Sequence, residues 1–344
     1  MSRVAKDVKF IKTLFYFLAI FIFFFALGEI LYRILDPHYQ IYERTHPGQY
    51  KNIEFAKNLS WPQYDQGLGW VCNTEHFTYG SDNISYKINK QGFRDDKDFT
   101  SPGPRQDKKR IMILGDSFIF GTHLESQETF PSLLQENLRD KYVVFNLGIP
   151  GWGIDQMFLA YKKYDPRIKP NIVIFCFIDD DIFRVFESFR KVEMMRKPSF
   201  EIKKGKLALR KEEKIGLWPI ILKTSRILNR CHLIYRSYYS KKITEAIFLE
   251  MIQETQLAKE KFIVIRIPTR DDMEFSSWSN KWQKKEFSFR GLFKKKNVLY
   301  LELYDYMKSF PSVCYAQLYV DDVGHLTRAA NELIVNYILR SCNF

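Results

Sequence analysis

Short apolar runs alternate with amphipathic segments from about residue 109 to the end of the chain. Five runs are apolar over most of their length, at residues 110–114, 143–147, 172–178, 262–267 and 298–303. Continuous apolar runs of this length are typical of parallel strands that are buried on both faces. The segments between them carry apolar residues at helical spacing, as in Phe130, Leu133, Leu134 and Leu138. The alternation predicts an α/β fold, a three-layer α/β/α sandwich around a central five-stranded parallel sheet.

A long apolar segment lies near the N-terminus. Residues 14–35 are apolar apart from a few positions that include Glu29 and Arg33, and a membrane-spanning helix needs about 20 such residues. Four Lys or Arg side chains precede the segment within residues 1–12. The positive-inside rule then predicts a cytoplasmic N-terminus and an exported remainder. We therefore expect one transmembrane helix, with the folded part on the periplasmic or extracytoplasmic side of a cell inner membrane.

Two other interpretations of this segment stay open. Ala26 and Gly28 have the small side chains of a signal-peptidase site, although the apolar stretch exceeds the roughly 7–15 residues of a signal core. A buried core helix is the second alternative, disfavoured by the long aromatic-rich run beside a basic terminus. The predicted organisation is an anchor at 1–35, an extended lead-in or tether at 36–108, and an α/β domain at 109–344 with a lid-like insertion at about 182–245.

Composition narrows the classes of partner. The chain has 344 residues, of which 46% are hydrophobic and 16% aromatic, so it can bury a sizeable core. Its net charge is +13, and residues 201–250 contain 12 Lys or Arg against 5 Asp or Glu. Because the sequence shows no nucleic-acid-binding motif and the domain is expected outside the cytoplasm, we predict no nucleic-acid partner. An anionic lipid surface or an anionic glycan fits the basic insertion better, with a plain solvated surface as the alternative.

The cysteines indicate neither a metal site nor a defined disulfide framework. The chain has five, an odd number, and none has the C-x-x-C or Cys/His spacing of a zinc site. We accordingly expect no metal and no cofactor. Cys314 and Cys342 could pair in an oxidising compartment, whereas Cys176 lies within an apolar run and is expected in the core.

Candidate site residues follow the ends of three predicted strands. Ser117, Gly148 and Asp180 each come directly after an apolar run, and the carboxyl ends of parallel strands meet at one edge of the sheet, where ligands bind. A serine nucleophile needs a base, and the base needs an orienting acid. His325 before the last helix supplies an imidazole, and Asp322 precedes it by three residues. These residue types predict acyl transfer through a serine.

The tripeptide Gly115-Asp116-Ser117 and the later Asp322-Val323-Gly324-His325 resemble the motifs of the SGNH hydrolases, also called the GDSL esterase/lipase family. The resemblance covers about residues 109–181 and 262–339. It implies a flavodoxin-like sandwich, with Ser117 as nucleophile, His325 as base and Asp322 as the orienting acid. It also implies an oxyanion hole with three donors. Two are the backbone N–H groups of Ser117 and Gly148, and the third is an asparagine side chain in the family's next sequence motif.

The motif that supplies the third donor departs from the family pattern in this chain. The family has Gly-x-Asn-Asp, whereas this chain has Ile178-Asp179-Asp180-Asp181, so Asp180 occupies the position of the asparagine donor. An ionised carboxylate has no N–H to donate. Asp180 would act as a donor only if it were protonated, as crowding among neighbouring acids favours. The other outcomes are a slower enzyme or one that does not hydrolyse esters.

The lead-in residues 65–70 and 88–94 resemble those of membrane-anchored SGNH proteins of bacterial envelopes. The predicted function is a membrane-anchored serine esterase that removes O-acyl groups, above all acetyl, from an envelope glycan or a lipid-linked sugar. Two alternatives stay open: an O-acyltransferase acting on glycans, and a non-catalytic envelope or polysaccharide-assembly protein that keeps the fold.

Overall fold

The computed structural model describes residues 3–35, 61–74, 77–78, 84–99, 108–190, 195–210, 225–274, 288–310, 315–321, 324–342 and 344. The chain divides into two compact units. One contains residues 1–45 and 213–237, and the other contains residues 46–212 and 238–344. Part of the predicted insertion therefore groups with the N-terminal segment rather than with the α/β domain.

The first unit is built around a long N-terminal helix, α1 (Arg3–Leu35). Its residues Phe10–Leu35 are long and apolar enough to cross a membrane, judged by length and composition, and none of the most apolar window is buried. Near its end, the Glu29 carboxylate accepts the backbone N–H groups of Arg226 (2.8 Å) and Ile227 (3.2 Å) and the hydroxyl of Ser225 (3.0 Å). Glu29 thus satisfies N–H groups at the start of the second long helix, which have no partner within that helix.

The described part of the lead-in is packed into the second unit. It forms two antiparallel pairs, β1 (Pro62–Asp65) with β2 (Gly69–Cys72), and β3 (Phe77–Thr78) with β4 (Ser85–Tyr86). Its aromatic side chains are buried in the same apolar cluster as the central sheet: Trp61, Trp70, Tyr86, Phe93 and Phe99. The described residues 61–74, 77–78 and 84–99 therefore differ from the extended tether expected for residues 36–108, because their aromatic surface is removed from water by packing on the domain. Residues 36–60 of the expected tether lie outside the described part of the chain.

The elements that follow are, in chain order, β5 (Lys109–Gly115), α2 (Ser117–Phe120), α3 (Phe130–Leu138), β6 (Tyr142–Gly148), α4 (Ile154–Ile168), β7 (Ile172–Phe177), α5 (Asp179–Arg184), β8 (Phe189–Arg190), β9 (Met195–Arg196), β10 (Phe200–Lys203), β11 (Lys206–Leu209), α6 (Arg226–Leu257), β12 (Lys261–Arg266), α7 (Arg270–Glu274), α8 (Arg290–Lys295), β13 (Leu299–Glu302), α9 (Leu303–Lys308) and α10 (Arg328–Ser341). Short 3₁₀ turns lie at Ser126–Glu128 and Tyr315–Leu318.

Five of these strands form one parallel sheet in the order β13-β12-β7-β5-β6. Alternate residues of β5 enter two separate apolar clusters. Met112 and Leu114 pack in the cluster that includes α4 and α6, whereas Ile111 and Ile113 pack in the cluster that includes α3 and α10. Helices therefore cover both faces of the sheet, and the predicted three-layer α/β/α sandwich with five parallel strands is confirmed.

The described residues of the predicted insertion form two small hairpins followed by the start of α6. Strand β8 pairs with β9, and β10 pairs with β11, in antiparallel register. The second hairpin matches the one expected at residues 200–210. Residues 211–224 lie outside the described part of the chain, and the lid-like role of the insertion stays a prediction.

Two glycines let the short helix α2 lie directly on the strand ends. A Cβ at Gly115 would come within 2.2 Å of Cγ1 of Ile119, and a Cβ at Gly148 within 2.4 Å of the backbone nitrogen of Phe120. Real Cβ atoms do not approach other atoms so closely, so both positions require glycine. This close contact fixes the place where the chain leaves β5 and turns into α2.

Candidate active site

Ser117 is the first residue of α2, directly after the end of β5. The side chain of Asp116 caps this helix by accepting the backbone N–H of Phe118 at 3.0 Å. After one turn the helix ends at Gly121, which has the left-handed φ of +78° that glycine adopts most readily. The strand, cap and short helix together hold the Ser117 hydroxyl at the carboxyl edge of the sheet.

His325 lies beside this hydroxyl although 208 positions separate the two residues. Its Nε2 is 2.9 Å from Oγ of Ser117, within the range for a nucleophile and its base. The imidazole is almost completely buried and packs against the ring of Phe118, with ring centroids 5.4 Å apart. The structure therefore brings together the serine and histidine that the sequence singled out.

The carboxylate that contacts His325 belongs to Asp321. Its Oδ2 is 2.6 Å from Nδ1 of His325, and its Oδ1 accepts the backbone N–H groups of Gly324 (2.8 Å) and His325 (2.9 Å). Asp322, expected in this role, lies outside the described residues. Because Gly324 takes a left-handed φ of +94°, the turn directs the N–H groups of Gly324 and His325 back to Asp321. The sequence alone did not show which of the two neighbouring aspartates contacts the histidine, and the backbone path of this turn brings Asp321 to it.

A second histidine contacts the same carboxylate oxygen. Nε2 of His123 is 3.2 Å from Oδ2 of Asp321. Burial by itself would raise the pKa of Asp321, but hydrogen bonds from His123 and His325 outweigh it and hold the pKa well below its usual range. Asp321 is therefore ionised at neutral pH. Sequence reasoning missed His123, since no spacing rule links it to Asp321.

Gly148 does not have a free N–H for an oxyanion. Its amide donates to Oδ1 of Asn146 at 2.9 Å, which contradicts the role expected from the sequence. Three residues later, Gly151 has a left-handed φ of +78° and lies in a turn closed by the Trp152 N–H and the Ile149 carbonyl (3.3 Å). In the described part of the chain the structure gives the Gly151 amide no acceptor. The segment Asn146–Gly151 contains both glycines, and the contact with Asn146 shows that the Gly148 amide already has an acceptor.

Hydrogen bonds from the indole N–H groups of Trp70 and Trp152 stabilise the turn that contains Gly151. The indole N–H of Trp70 donates to the carbonyl of Pro150 at 3.0 Å, and the indole N–H of Trp152 donates to the carbonyl of Trp70 at 2.9 Å. Both indole rings are fully buried. Since Trp70 lies on β2, the lead-in fixes a loop at the carboxyl edge of the sheet.

Asp180 lies half-buried in the first turn of α5, between two acids that are each paired with an arginine. Asp179 contacts Arg266 at 2.6 Å, and Asp181 contacts Arg184 at 2.5 Å. Burial raises the pKa of Asp179 and of Asp181, and the nearby Asp116 adds to the effect at Asp181, whereas the two arginines oppose it. The structure thus places Asp180 after the end of β7, as the sequence predicted.

Arg184 joins the three strand-end segments of the site. Its Nη1, which carries two N–H donors, lies within hydrogen-bond distance of Oδ2 of Asp116 (3.2 Å), Oδ1 of Asp181 and the carbonyl of Trp152 (2.9 Å). These acceptors follow β5, β7 and β6, respectively. The partly buried Arg184 guanidinium therefore links three segments: the chain beside Ser117, the Gly151 turn and the start of α5.

His123, Asp321 and His325 are also the group of described residues whose nitrogen and oxygen atoms, all within 4.8 Å of one another, could share a metal ion. Both imidazoles, however, lie within hydrogen-bond distance of the same oxygen, Oδ2, and the other carboxylate oxygen accepts two backbone N–H groups. We interpret the group as a hydrogen-bonded network, because these contacts already satisfy the carboxylate.

No family model and no curated protein matches the sequence. Among solved structures, the chain is similar to a protein described as lipolytic and of the G-D-S-L family from Desulfitobacterium hafniense DCB-2, with 14% identity and a TM-score of 0.45 over 68% of this chain and 100% of that one. It is also similar to the acetylxylan esterase Axe2 from Geobacillus stearothermophilus, with 13% identity and a TM-score of 0.45 over 72% and 97% of the two chains.

A third similar structure is the lipase/acylhydrolase from Enterococcus faecalis, with 16% identity and a TM-score of 0.41 over 67% of this chain and 95% of that one. Of these three, the Desulfitobacterium protein carries the name of the family that the Gly115-Asp116-Ser117 motif resembles. Because one fold hosts many unrelated functions, the chemistry of this chain rests on its own side chains.

A matched pair of variants tests which of the two aspartates orients His325. We expect Asp321→Asn to lower kcat for ester hydrolysis by at least about 100-fold, because an amide cannot stabilise the imidazolium as a carboxylate does. Asp322→Asn should keep kcat within about threefold, since His325 already has Asp321 as its partner. The reverse order of effects, measured with p-nitrophenyl acetate, would return the role to Asp322.

Proposed function

We propose that this protein is a membrane-anchored serine esterase of the SGNH type. The single observation that carries the proposal is the chain of contacts from Ser117 Oγ to His325 Nε2, at 2.9 Å, and from His325 Nδ1 to Asp321 Oδ2, at 2.6 Å. A serine–histidine–aspartate arrangement at the carboxyl edge of a parallel sheet is the geometry of nucleophilic acyl transfer.

In the proposed reaction Ser117 Oγ attacks the acyl carbon of an ester while His325 Nε2 takes the hydroxyl proton. Asp321 stabilises the imidazolium that forms. The tetrahedral intermediate collapses, the ester C–O bond breaks, and His325 returns the proton to the departing alcohol. Water then attacks the acyl-enzyme with His325 again as base, which releases the carboxylic acid and restores Ser117.

The negative charge on the intermediate needs N–H donors. We assign one to the backbone of Ser117 at the start of α2 and a second to Gly151 in place of Gly148, because the Gly148 amide already donates to Asn146. Asp180 takes the position of the third donor. As an ionised carboxylate it would repel the developing charge, and this observation favours the second candidate, a protein that keeps the fold and hydrolyses esters slowly or not at all.

The proposed substrate is an O-acyl group, above all acetyl, on an envelope glycan or a lipid-linked sugar. The resemblance of the lead-in to membrane-anchored SGNH proteins supports this class. Transfer of the acyl group to a sugar hydroxyl instead of water is the related alternative, since the same acyl-enzyme would serve both reactions.

The membrane location is proposed from α1. Most of its side chains between Phe10 and Leu35 are apolar and exposed, a surface that a bilayer would cover. The same unit also contains the first part of α6, where Arg230, Ile234 and Tyr235 are exposed. A basic and aromatic surface of this kind suits the anionic headgroup region of a membrane.

The esterase proposal is tested on the full-length protein in detergent. We expect hydrolysis of p-nitrophenyl acetate and covalent labelling by a fluorophosphonate, both abolished in Ser117→Ala, because no other group can replace the attacking oxygen. The ratio of wild-type to variant rates gives the size of the effect, expected at about 10³-fold or more. Equal rates in the two proteins would remove Ser117 from the reaction and the esterase from consideration.

The effect of Asp180 is tested by two substitutions at that position. Asp180→Asn should raise kcat/KM by about 10- to 100-fold, because it adds an N–H donor and removes a negative charge beside the oxyanion. Asp180→Ala, the control, removes the charge alone and should give the smaller gain. An unchanged rate in Asp180→Asn would indicate a protonated donor in the wild type, and inactivity of all three proteins towards every ester and fluorophosphonate would favour the non-catalytic candidate.

Topology is tested by reporter fusions. An alkaline phosphatase fused after Phe344 should be active, because it folds only after export, and a green fluorescent protein at the same position should not fluoresce if the chain is exported in unfolded form. Four basic residues within residues 1–12, near the start of the apolar part of α1, are the basis of this expectation. The opposite pair of results would reverse the orientation.

A further inference from the structure

His123 is the titratable residue next to the site that the proposed reaction leaves without a role. Its Nε2 lies 3.2 Å from Oδ2 of Asp321, the same oxygen that is 2.6 Å from Nδ1 of His325. The two imidazole rings meet edge to face with centroids 5.5 Å apart. Because the carboxylate has one neighbour on each side, its position relative to His325 depends on both rings.

The backbone around His123 is held in an uncommon conformation. Its φ is +66°, in the left-handed region that non-glycine residues seldom adopt. Its N–H donates to the hydroxyl of Tyr86 at 3.0 Å. Arg94, buried and stacked 4.4 Å over the Tyr86 ring, donates to the carbonyls of Phe120, Gly121 and Leu124, which flank His123.

Strain of this kind persists where the surrounding structure fixes it, and it is concentrated at functional sites. Here the fixing groups come from the lead-in, and their effect is to point one imidazole at the orienting acid. A loop needed only to connect α2 with α3 would have no reason to keep a histidine in the left-handed region.

We propose that His123 is a positioning residue that holds the Asp321 carboxylate in place for His325 through a hydrogen bond from Nε2–H to Oδ2. The role rests on the proposed esterase reaction. Without this bond, only His325 and the backbone N–H groups of Gly324 and His325 would hold the carboxylate. The carboxylate would then rotate more freely, and the alignment of His325 with Ser117 would suffer.

The test compares His123→Gln with His123→Met in the full-length protein in detergent. The two side chains have similar length and flexibility, but only glutamine carries an N–H donor. We expect His123→Met to lower kcat by about 10- to 100-fold with KM nearly unchanged, as misalignment of a catalytic group does. We expect His123→Gln to stay within about threefold of the wild type.

Proton NMR of the far-downfield His325 Nδ1–H resonance gives a readout that needs no turnover. It should shift in His123→Met and be kept in His123→Gln, whether or not the protein hydrolyses any ester, so failure of the esterase proposal is separable from failure of this one. Thermal unfolding in the same detergent identifies a variant that has merely lost its fold, and fluorophosphonate labelling of Ser117 provides a second measure of alignment.

Three results would overturn the proposal. One is a His123→Met protein with wild-type kcat and Nδ1–H resonance. Another is an equal loss of both in the glutamine and methionine variants, which would mean that the imidazole acts other than as a donor. The third is loss of wild-type activity in EDTA with recovery in zinc, which would make His123 a metal ligand.

Discussion

The site depends on the Asp321 carboxylate and on the four groups that contact it. Two backbone N–H groups of the Gly324 turn fix one oxygen, and the imidazoles of His123 and His325 converge on the other. This arrangement keeps a partly buried acid ionised and gives His325 one orientation, with its other nitrogen at Ser117. The Asp321 carboxylate therefore connects segments from opposite ends of the α/β domain, and it orients His325 towards the Ser117 hydroxyl.

A second constraint comes from the lead-in, which contributes to the site although it precedes the sheet. The buried Arg94 supplies donors to three carbonyls after α2, and Trp70 holds the carbonyl of Pro150 in the turn before α4. Carbonyls in a buried loop need such partners, since an unsatisfied polar group away from water is costly. The loops on both sides of Ser117 thus take their shape from residues outside the α/β core.

The carboxyl edge of the sheet carries several buried acids, and two arginines make this possible. Arg184 contacts Asp116 and Asp181, and Arg266 contacts Asp179 and Glu302. Burial raises the pKa of Asp179, Asp181 and Glu302, and the two arginines oppose this rise. The resulting framework lies on both sides of Asp180 in the sequence of α5, and in the proposed reaction the charge on Asp180 affects how well the site stabilises an oxyanion.

The sequence by itself determined the α/β sandwich, the five parallel strands and the α1 helix, because strands buried on both faces and long apolar helices leave periodic signals within a few residues. It also singled out Ser117 and His325, whose motifs are local. Only the tertiary structure decided that Asp321 contacts the histidine, that the Gly148 amide is already used, and that His123 belongs to the network. The first outcome depends on the left-handed turn at Gly324, the second on the direction in which the Asn146 side chain points, and the third on a contact between residues far apart in sequence. None of these leaves a local pattern in the sequence that distinguishes one aspartate, glycine or histidine from another.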